Sequence, residues 1–409
     1  MKLAGAALGL ALAVSACGGH QPAGGRVALI AVNAPFSRQS ALGEQIARGV
    51  SLAAAQINAA GGIRLAGGTY RLRVKRYDNG LSAGTAVANV RHAIADGAVA
   101  IVDEGTGAEA SWREANAAGV PICIVHQGAA NLVDPRTRPN VFRIVPTDHG
   151  IALRFAEYLA RIHVKPAILY DDSAYGLGGR DALDDAFSYS SKAIAAKIAV
   201  SADASDLSAP VLRARRANPT ALLVWGGPAT IAAAVRAARV TGWAVPIYAP
   251  PDAADPVVRE ELSEHPDWVD GLTFADGRLT AEVGPGPFET YLAMYDTAFG
   301  ADRIGVKNAA GQPVSALPEY AMYASDFVNL LASAIRQAGG TDGRKLIAAL
   351  NQVSVRGANG DERGFNENYH EGVVNDDVYF AAFHDMTFRA VKDDPLSSTL
   401  PVLTQVAPR

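Results

Sequence analysis

Gly80-Leu81-Ser82-Ala83-Gly84 has the GxSxG spacing of a nucleophile elbow, where a sharp strand-to-helix turn exposes a serine hydroxyl for acyl transfer. The chain has histidines and aspartates enough to complete a triad around Ser82. An elbow strand is normally central and buried on both faces. The run before Gly80 instead carries Arg71, Arg73, Lys75 and Arg76, so it reads as an edge strand. The competing reading makes Ser82 a turn residue at a helix N-terminus. A second pattern, Gly105-Thr106-Gly107-Ala108-Glu109-Ala110, is similar to GxGxxG/A and also lies between a strand and a helix. The acidic residue that a dinucleotide ribose requires is missing, because the next strand ends at His126-Gln127. Small residues still let a ligand approach this backbone, and the free N–H groups of the helix start favour an anion such as a carboxylate. Histidines 92, 126, 149, 163, 265, 370 and 384 are scattered, with no HExxH or CxxC, so neither a metal nor a cofactor is expected. Glu264-His265-Pro266-Asp267 reads as a helix end and turn.

The two cysteines, Cys17 and Cys123, exclude a disulfide-stapled scaffold. Cys123 sits in an apolar strand and reads as an inert core residue. Residues 1–16 combine Lys2 with an apolar stretch far short of the roughly 20 residues that cross a bilayer, the pattern of an export signal. Val14-Ser15-Ala16-Cys17 resembles the bacterial lipoprotein box, which implies cleavage before Cys17 and lipidation on it. Residues 17–25 then form a Gly-rich tether.

The elements that position these groups are alternating strands and helices. Val27–Val32 is a continuous apolar run, as in a parallel strand covered on both faces. Ile46, Val50, Ala53 and Ile57 mark a helix stopped at Gly61-Gly62. Further strands are expected at 71–77, 99–102 and 121–125, with helices marked by Val87, Val90 and Ile94 and over 108–118. The pattern restarts after 141–145, with a helix at 151–162 and another after Gly176. Strands are expected at 167–171, 194–200, 221–225 and 246–248, and a helix over 230–240. The tail reads as helices at 287–299, 318–338 and 345–350, with no strong strand between them, then a hairpin of 378–383 with 387–391. A length of 409 residues suggests two or three domains, at about 100–200 residues each. The two α/β runs suggest two similar lobes that the tail returns to complete. A net charge of −4 argues against a nucleic-acid partner, and 49% hydrophobic residues argue against disorder.

Several segments carry a family resemblance. Ala53–Ile63 (AAAQINAAGGI), Gly119-Val120-Pro121 followed by Gln127–Asn131, Phe142–Asp148 (FRIVPTD) and Ala167–Gly176 (AILYDDSAYG) follow one another in the order and spacing of one family. Gly226-Gly227 and the helix to Thr241-Gly242 fit as well. Over nearly all of its length after residue 17 the chain resembles the type I periplasmic binding proteins of ABC importers, specifically the branched-chain amino-acid-binding group. The resemblance implies an α/β fold of two Rossmann-like lobes (a Venus flytrap) joined by three crossings. It places 26–145 plus 277–352 in lobe 1, 149–274 plus 356–392 in lobe 2, and 393–409 in a C-terminal tail. It implies a ligand held between first-lobe loops, at Glu104, Thr106, Gly107, Gln127, Gly128, Ala129 and Ala130, and second-lobe residues Tyr175 and Asp252. Tyr175 has the alternative of packing on its own lobe, and Asp252 that of capping a helix. The partners implied are a small polar solute (an amino acid or amide-like compound), an ABC permease and ATPase, and the membrane through the Cys17 lipid. Three positions depart from the family pattern. A Ser/Thr pair is reduced to Thr106, a threonine is replaced by Ala130, and an aromatic position is held by Leu42. Glu104 would repel a carboxylate, and if buried it must be solvated, paired with a cation or turned away, so the chain also admits a ligand with a cationic or amide group. Trp225 is placed either to stack on such a ligand or to pack within the lobe. Two other readings remain at this stage: a sensory module of the same fold, and an exported hydrolase using Ser82.

Overall fold

A computed structural model of the chain describes residues 25–188, 193–279, 286–391 and 394. The expected export segment, Cys17, most of the expected tether and nearly all of the expected C-terminal tail lie outside the described residues.

The first α/β run comprises β1 (Arg26–Ala34), α1 (Ser40–Ala59), β2 (Ile63–Leu65), β3 (Gly68–Asp78), α2 (Ala83–Ala95), β4 (Ala98–Asp103), α3 (Ala108–Ala117), β5 (Ile122–Ile124) and β6 (Val141–Arg143). Its six strands form one sheet in the order β2-β3-β1-β4-β5-β6, parallel except for β2. The apolar run of β1 is buried from Ala28 onward because helices cover both faces of the sheet. β2 pairs only with Gly68–Tyr70 of β3, so the charged part of β3 runs along an open edge, as its Arg and Lys residues required. Cys123 is fully buried inside β5.

The second run repeats the plan with α4 (Asp148–Arg161), β7 (Pro166–Asp171), α5 (Ala174–Ser188), β8 (Ala196–Val200), α6 (Ser208–Arg216), β9 (Ala221–Trp225), α7 (Pro228–Val240), β10 (Ile247–Ala249), α8 (Pro256–Glu261) and β11 (Thr273–Asp276). α5 starts earlier than Gly176, because Ser173 Oγ accepts from the Gly176 N–H at 3.0 Å and turns the chain there. The tail adds α9 (Pro287–Phe299), β12 (Arg303–Lys307), β13 (Pro313–Ser315), α10 (Glu319–Ala338), α11 (Gly343–Leu350), β14 (Ser354–Arg356), β15 (Glu362–Gly364), β16 (Tyr379–His384) and β17 (Thr387–Ala390). The expected final hairpin is β16–β17, which joins the second sheet in the order β17-β16-β11-β10-β9-β7-β8.

The tail was expected to hold no strand between its helices, and this is corrected. β12–β13 and β14–β15 are short hairpins, too short for an alternating pattern to stand out. β12–β13 packs Ile304, Val306 and Val314 into the core of the second sheet, whereas α9, α10 and α11 pack on the first. The main path therefore crosses from the first sheet to the second after β6, back after β11, and across again before β16, with the β12–β13 hairpin as an excursion.

The return of α10 rests on a close helix contact. Gly49 of α1 lies so near α10 that a Cβ there would sit 2.6 Å from Ala321 Cα, and Ser325 Oγ donates to the Gly49 carbonyl at 2.8 Å. Only a glycine admits that approach. No helix among the described residues is long and apolar enough to cross a membrane.

Candidate functional site

In both sheets the five parallel strands run in the order second-first-third-fourth-fifth: β3-β1-β4-β5-β6 and β8-β7-β9-β10-β11. Such sheets bind ligands beyond the carboxyl ends of their strands, at the point where the strand order reverses. The loops there are those after β1 and β4 in the first sheet, and after β7 and β9 in the second.

A cavity of about 50 Å³ lies where these ends face each other. Gln39, Leu42 and His126 line it from the first lobe, and Pro228, Asp252 and Asp255 from the second. Glu319 and Tyr320, at the start of α10, close it. Two larger depressions, of about 490 Å³ beside Gln56 and Arg336 and about 470 Å³ beside Val353 and Asp377, are wide open to solvent. Neither is lined from both sheets. The cavity as it stands has room for no more than a few water-sized molecules.

The first-lobe wall is built on buried acids. Asp103 ends β4 and accepts from Asn33 Nδ2 and the Gly105 N–H, both at 2.7 Å. Glu104 follows it, fully buried, and accepts from Asn79 Nδ2 at 3.0 Å, the Thr106 N–H at 2.8 Å and Gln127 Nε2 at 3.3 Å. Every one of these donors is neutral. Burial, and then the charge of Glu104, push Asp103 up to about 8, and burial raises Glu104 too. Gln127 Nε2 also donates to Thr106 Oγ1 at 3.2 Å. Gly105 and Gly107 have φ of 126° and 81°, and a Cβ on Gly105 would collide with the Gln127 side chain. The glycine pair thus seats the Glu104–Thr106–Gln127 cluster and starts α3.

The loop after β5 is held from below. Arg143, 1% exposed, donates through Nε and Nη2 to the two Glu371 oxygens at 2.7 Å each. Its Nη1 donates to the carbonyls of Gln127 and Ala129 at 3.0 and 2.8 Å. The Gly128 carbonyl accepts from the Asp148 N–H at 3.0 Å, and a Cβ on Gly128 would lie 2.8 Å from that nitrogen. Ala130 is exposed and opens a short 3-10 turn. His126 stands edge-on to Tyr320 at 5.0 Å, with its Nδ1 sealed from solvent and unpartnered. Burial lowers it to about 4, so the imidazole is neutral at physiological pH.

On the second lobe the Tyr175 hydroxyl donates to the Asp252 carboxylate. Burial pushes Asp252 up to about 7; the Tyr175 bond opposes this, while the charges of Asp255 and Asp148 add to it. Asp148 is 7% exposed and is raised by burial to about 6, with Arg143 pulling the other way. Trp225 is fully buried with its ring 6.0 Å from Tyr175, so it packs beneath the tyrosine and does not face the cleft. Asp255 caps α8 by accepting from the Val257 N–H at 2.9 Å. Across the crossing, Asp276 at the end of β11 and Glu319 are buried close together, with Asp276 Oδ2 sealed and unpartnered. Burial raises Asp276 to about 7 and lifts Glu319 well above its usual range, with Asp276 adding to the rise.

Thus Glu104, Thr106 and Gln127 form one cluster and Tyr175 and Asp252 another. Gly107, Gly128 and Ala129 shape the loops, and of the sequence-derived site residues Asp252 is the one on the cavity wall. The sequence reading missed Gln39, His126, Asp255, Glu319 and Tyr320. His126 left a signal, its place at the carboxyl end of a strand; Glu319 and Tyr320 left none, because a helix 190 or so residues further on brings them in. Ser82 Oγ accepts from the Thr85 N–H at 3.3 Å and caps α2, the turn role weighed against the elbow.

A family model for periplasmic binding proteins matches residues 27–387. Among solved structures, a type 1 periplasmic binding protein from Bordetella pertussis is 24% identical with a TM-score of 0.75, covering 89% of this chain and 99% of that one. The branched-chain amino acid transporter substrate-binding protein LivJ from Streptococcus pneumoniae, in complex with isoleucine, is 20% identical (TM-score 0.73; 89% and 98% covered). An ABC transporter solute-binding protein from Rhodopseudomonas palustris, in complex with 3,4-dihydroxybenzoic acid, is 19% identical (0.71; 89% and 96%). No curated protein matches the chain by sequence.

Proposed function

The chain belongs to the periplasmic binding proteins, and on that premise we propose that it captures a small polar solute between its lobes and delivers it to an ABC importer. The observation that carries this reading is the cavity lined from both sheets at their strand-order reversals. Binding energy is spent on closure: a solute that touches both walls favours the closed arrangement by its differential affinity. The second-lobe contacts are Asp252 and its partner Tyr175. The first-lobe contacts are drawn from Glu104, Thr106, Gly107 and Gln127–Ala130, with His126 between the two sets. The solved neighbours include proteins holding isoleucine and 3,4-dihydroxybenzoic acid, so fold alone admits both amino acids and aromatic acids.

A thermal-shift screen of amino acids, amides, amines and aromatic acids on the full chain tests the reading. A true solute at 100 times its Kd adds about 2.7 kcal/mol of stability and raises Tm accordingly. A screen in which no small solute moves Tm would remove the basis for solute capture.

The export segment and the Val14–Cys17 box support a lipid anchor on Cys17. Cys17→Ser is then expected to move the protein from the membrane fraction to the soluble one; unchanged membrane association would contradict the anchor.

A further inference from the structure

The charges around the cleft are lopsided. Three acids, Asp252, Asp255 and Glu319, line the cavity, and no lysine or arginine does. Behind them stand Asp148, against Tyr175 and Asp252, and Asp276, against Glu319. On the first lobe, Asp103 and Glu104 are buried side by side on neutral donors only. The nearest arginines do not line the cavity. Arg143 is engaged by Glu371 and two carbonyls. Arg259, close to Asp255, donates through Nη1 to the carbonyls of Ser315 and Met386, packs on Phe383 and Phe388, and keeps Nε and Nη2 buried without a partner. Arg363, beside Tyr323 at the back of Glu319, is held among Asp326, Asp361 and Asp377. His126 is neutral, with its Nδ1 sealed and unpartnered, and its ring meets that of Tyr320 near-perpendicular at 5.0 Å.

Two buried carboxyl groups close together, as Asp276 and Glu319 are, cannot both carry a charge cheaply without a cation near them. A carboxylate on the solute would join this set with no lysine or arginine on the cavity wall to meet it, in a site where desolvation magnifies the repulsion. An ammonium group has the opposite fate. It finds an acceptor at Asp252 and an aromatic ring at Tyr320 on the same cavity wall.

Resting on the solute-capture reading above, we propose that the solute is a small organic cation without a free carboxylate, an alkylamine in its simplest form. Rejection of anions follows from the same acids, which act against carboxylate-bearing competitors as much as they act for the amine. Because the acids must be ionised to hold the cation, binding carries a pH dependence whose sign is fixed. Protons leave Asp252 and its neighbours as the pH rises, so the affinity for an amine rises with pH and levels off once they are ionised.

Isothermal titration calorimetry on the full chain separates the possibilities with compounds that share one side chain: isoamylamine (cation), leucine (zwitterion) and 4-methylpentanoate (anion), together with 1,4-diaminobutane. An amine is expected to bind at least about 100-fold tighter than leucine at pH 8, with 4-methylpentanoate weakest. Its affinity is expected to fall by up to about tenfold per pH unit below pH 7. Asp252→Asn should weaken the amine by about 30-fold and flatten that pH dependence. Leucine or 4-methylpentanoate binding more tightly than isoamylamine would overturn the cation inference and leave solute capture standing. Amine binding that ignores both pH and Asp252→Asn would also overturn it. If none of the four binds, the inference falls as well. Whether solute capture falls with it is then decided by the wider thermal-shift screen.

Discussion

Arg143→Met is expected to cost about 3–5 kcal/mol of stability and to lower Tm by roughly 10 °C. The guanidinium is buried and makes four hydrogen bonds, two to Glu371 and two to the carbonyls of Gln127 and Ala129. Methionine matches its bulk but leaves the half-buried Glu371 carboxylate unpaired and two carbonyls without donors. The damage would be local as well as global. Residues 370–372 lie along β6, with the Arg143 N–H donating to the His370 carbonyl and the Gly372 N–H to the Arg143 carbonyl, so the last crossing is sewn to the first sheet at this residue. Removing the second charge, in Arg143→Met with Glu371→Met, should recover part of the loss, because a neutral pair no longer strands a carboxylate. The two carbonyls stay unmet, so recovery is incomplete. Equal melting temperatures for wild type and Arg143→Met, measured by calorimetry, would contradict this account of the loop's support.

Much of the fold was legible in the sequence because buried parallel strands announce themselves. VALIAV in β1 and ALLVW in β9 are unbroken apolar runs, and the helices between strands carry one apolar stripe each. The helix stop at Gly61-Gly62 was equally plain. The hairpin β12–β13 was not, since two apolar residues in RIGVK carry no period that distinguishes a strand from a loop. The charges on β3 read correctly as an open edge, and that reading weakened the elbow at Ser82.

The site was legible in its loops and illegible in its cavity. Gly105, Gly107 and Gln127 come from turns with a local signature, and the structure assembles them around Glu104 with a geometric reason for each glycine. Glu319 and Tyr320 come from a helix that returns from far along the chain, positioned by the Gly49–Ala321 contact. No local pattern encodes such a meeting. The reading of Glu104 as a group that must be paired with a cation, solvated or turned away was incomplete. It is satisfied by three neutral donors in the first lobe. Trp225 offered two roles on sequence, and its complete burial under Tyr175 selects the packing one.

The central claim is that one cavity, walled by both lobes, takes the solute. It predicts that blocking either wall abolishes binding. Ala41, exposed at the start of α1, and Ala254, half-buried in the loop after β10, line the cavity from opposite lobes. An indole at either position is larger than the space between the walls and prevents closure on a solute; Ala41 lies outside both packed cores, whereas Ala254 packs against the second. Wild type, Ala41→Trp and Ala254→Trp are titrated with the solute that raises Tm most. The account predicts that each substitution alone weakens binding by at least about 100-fold, with the ligand-free Tm nearly unchanged in Ala41→Trp and lowered in Ala254→Trp. Wild-type affinity in both variants would show that the solute binds elsewhere and would contradict the claim.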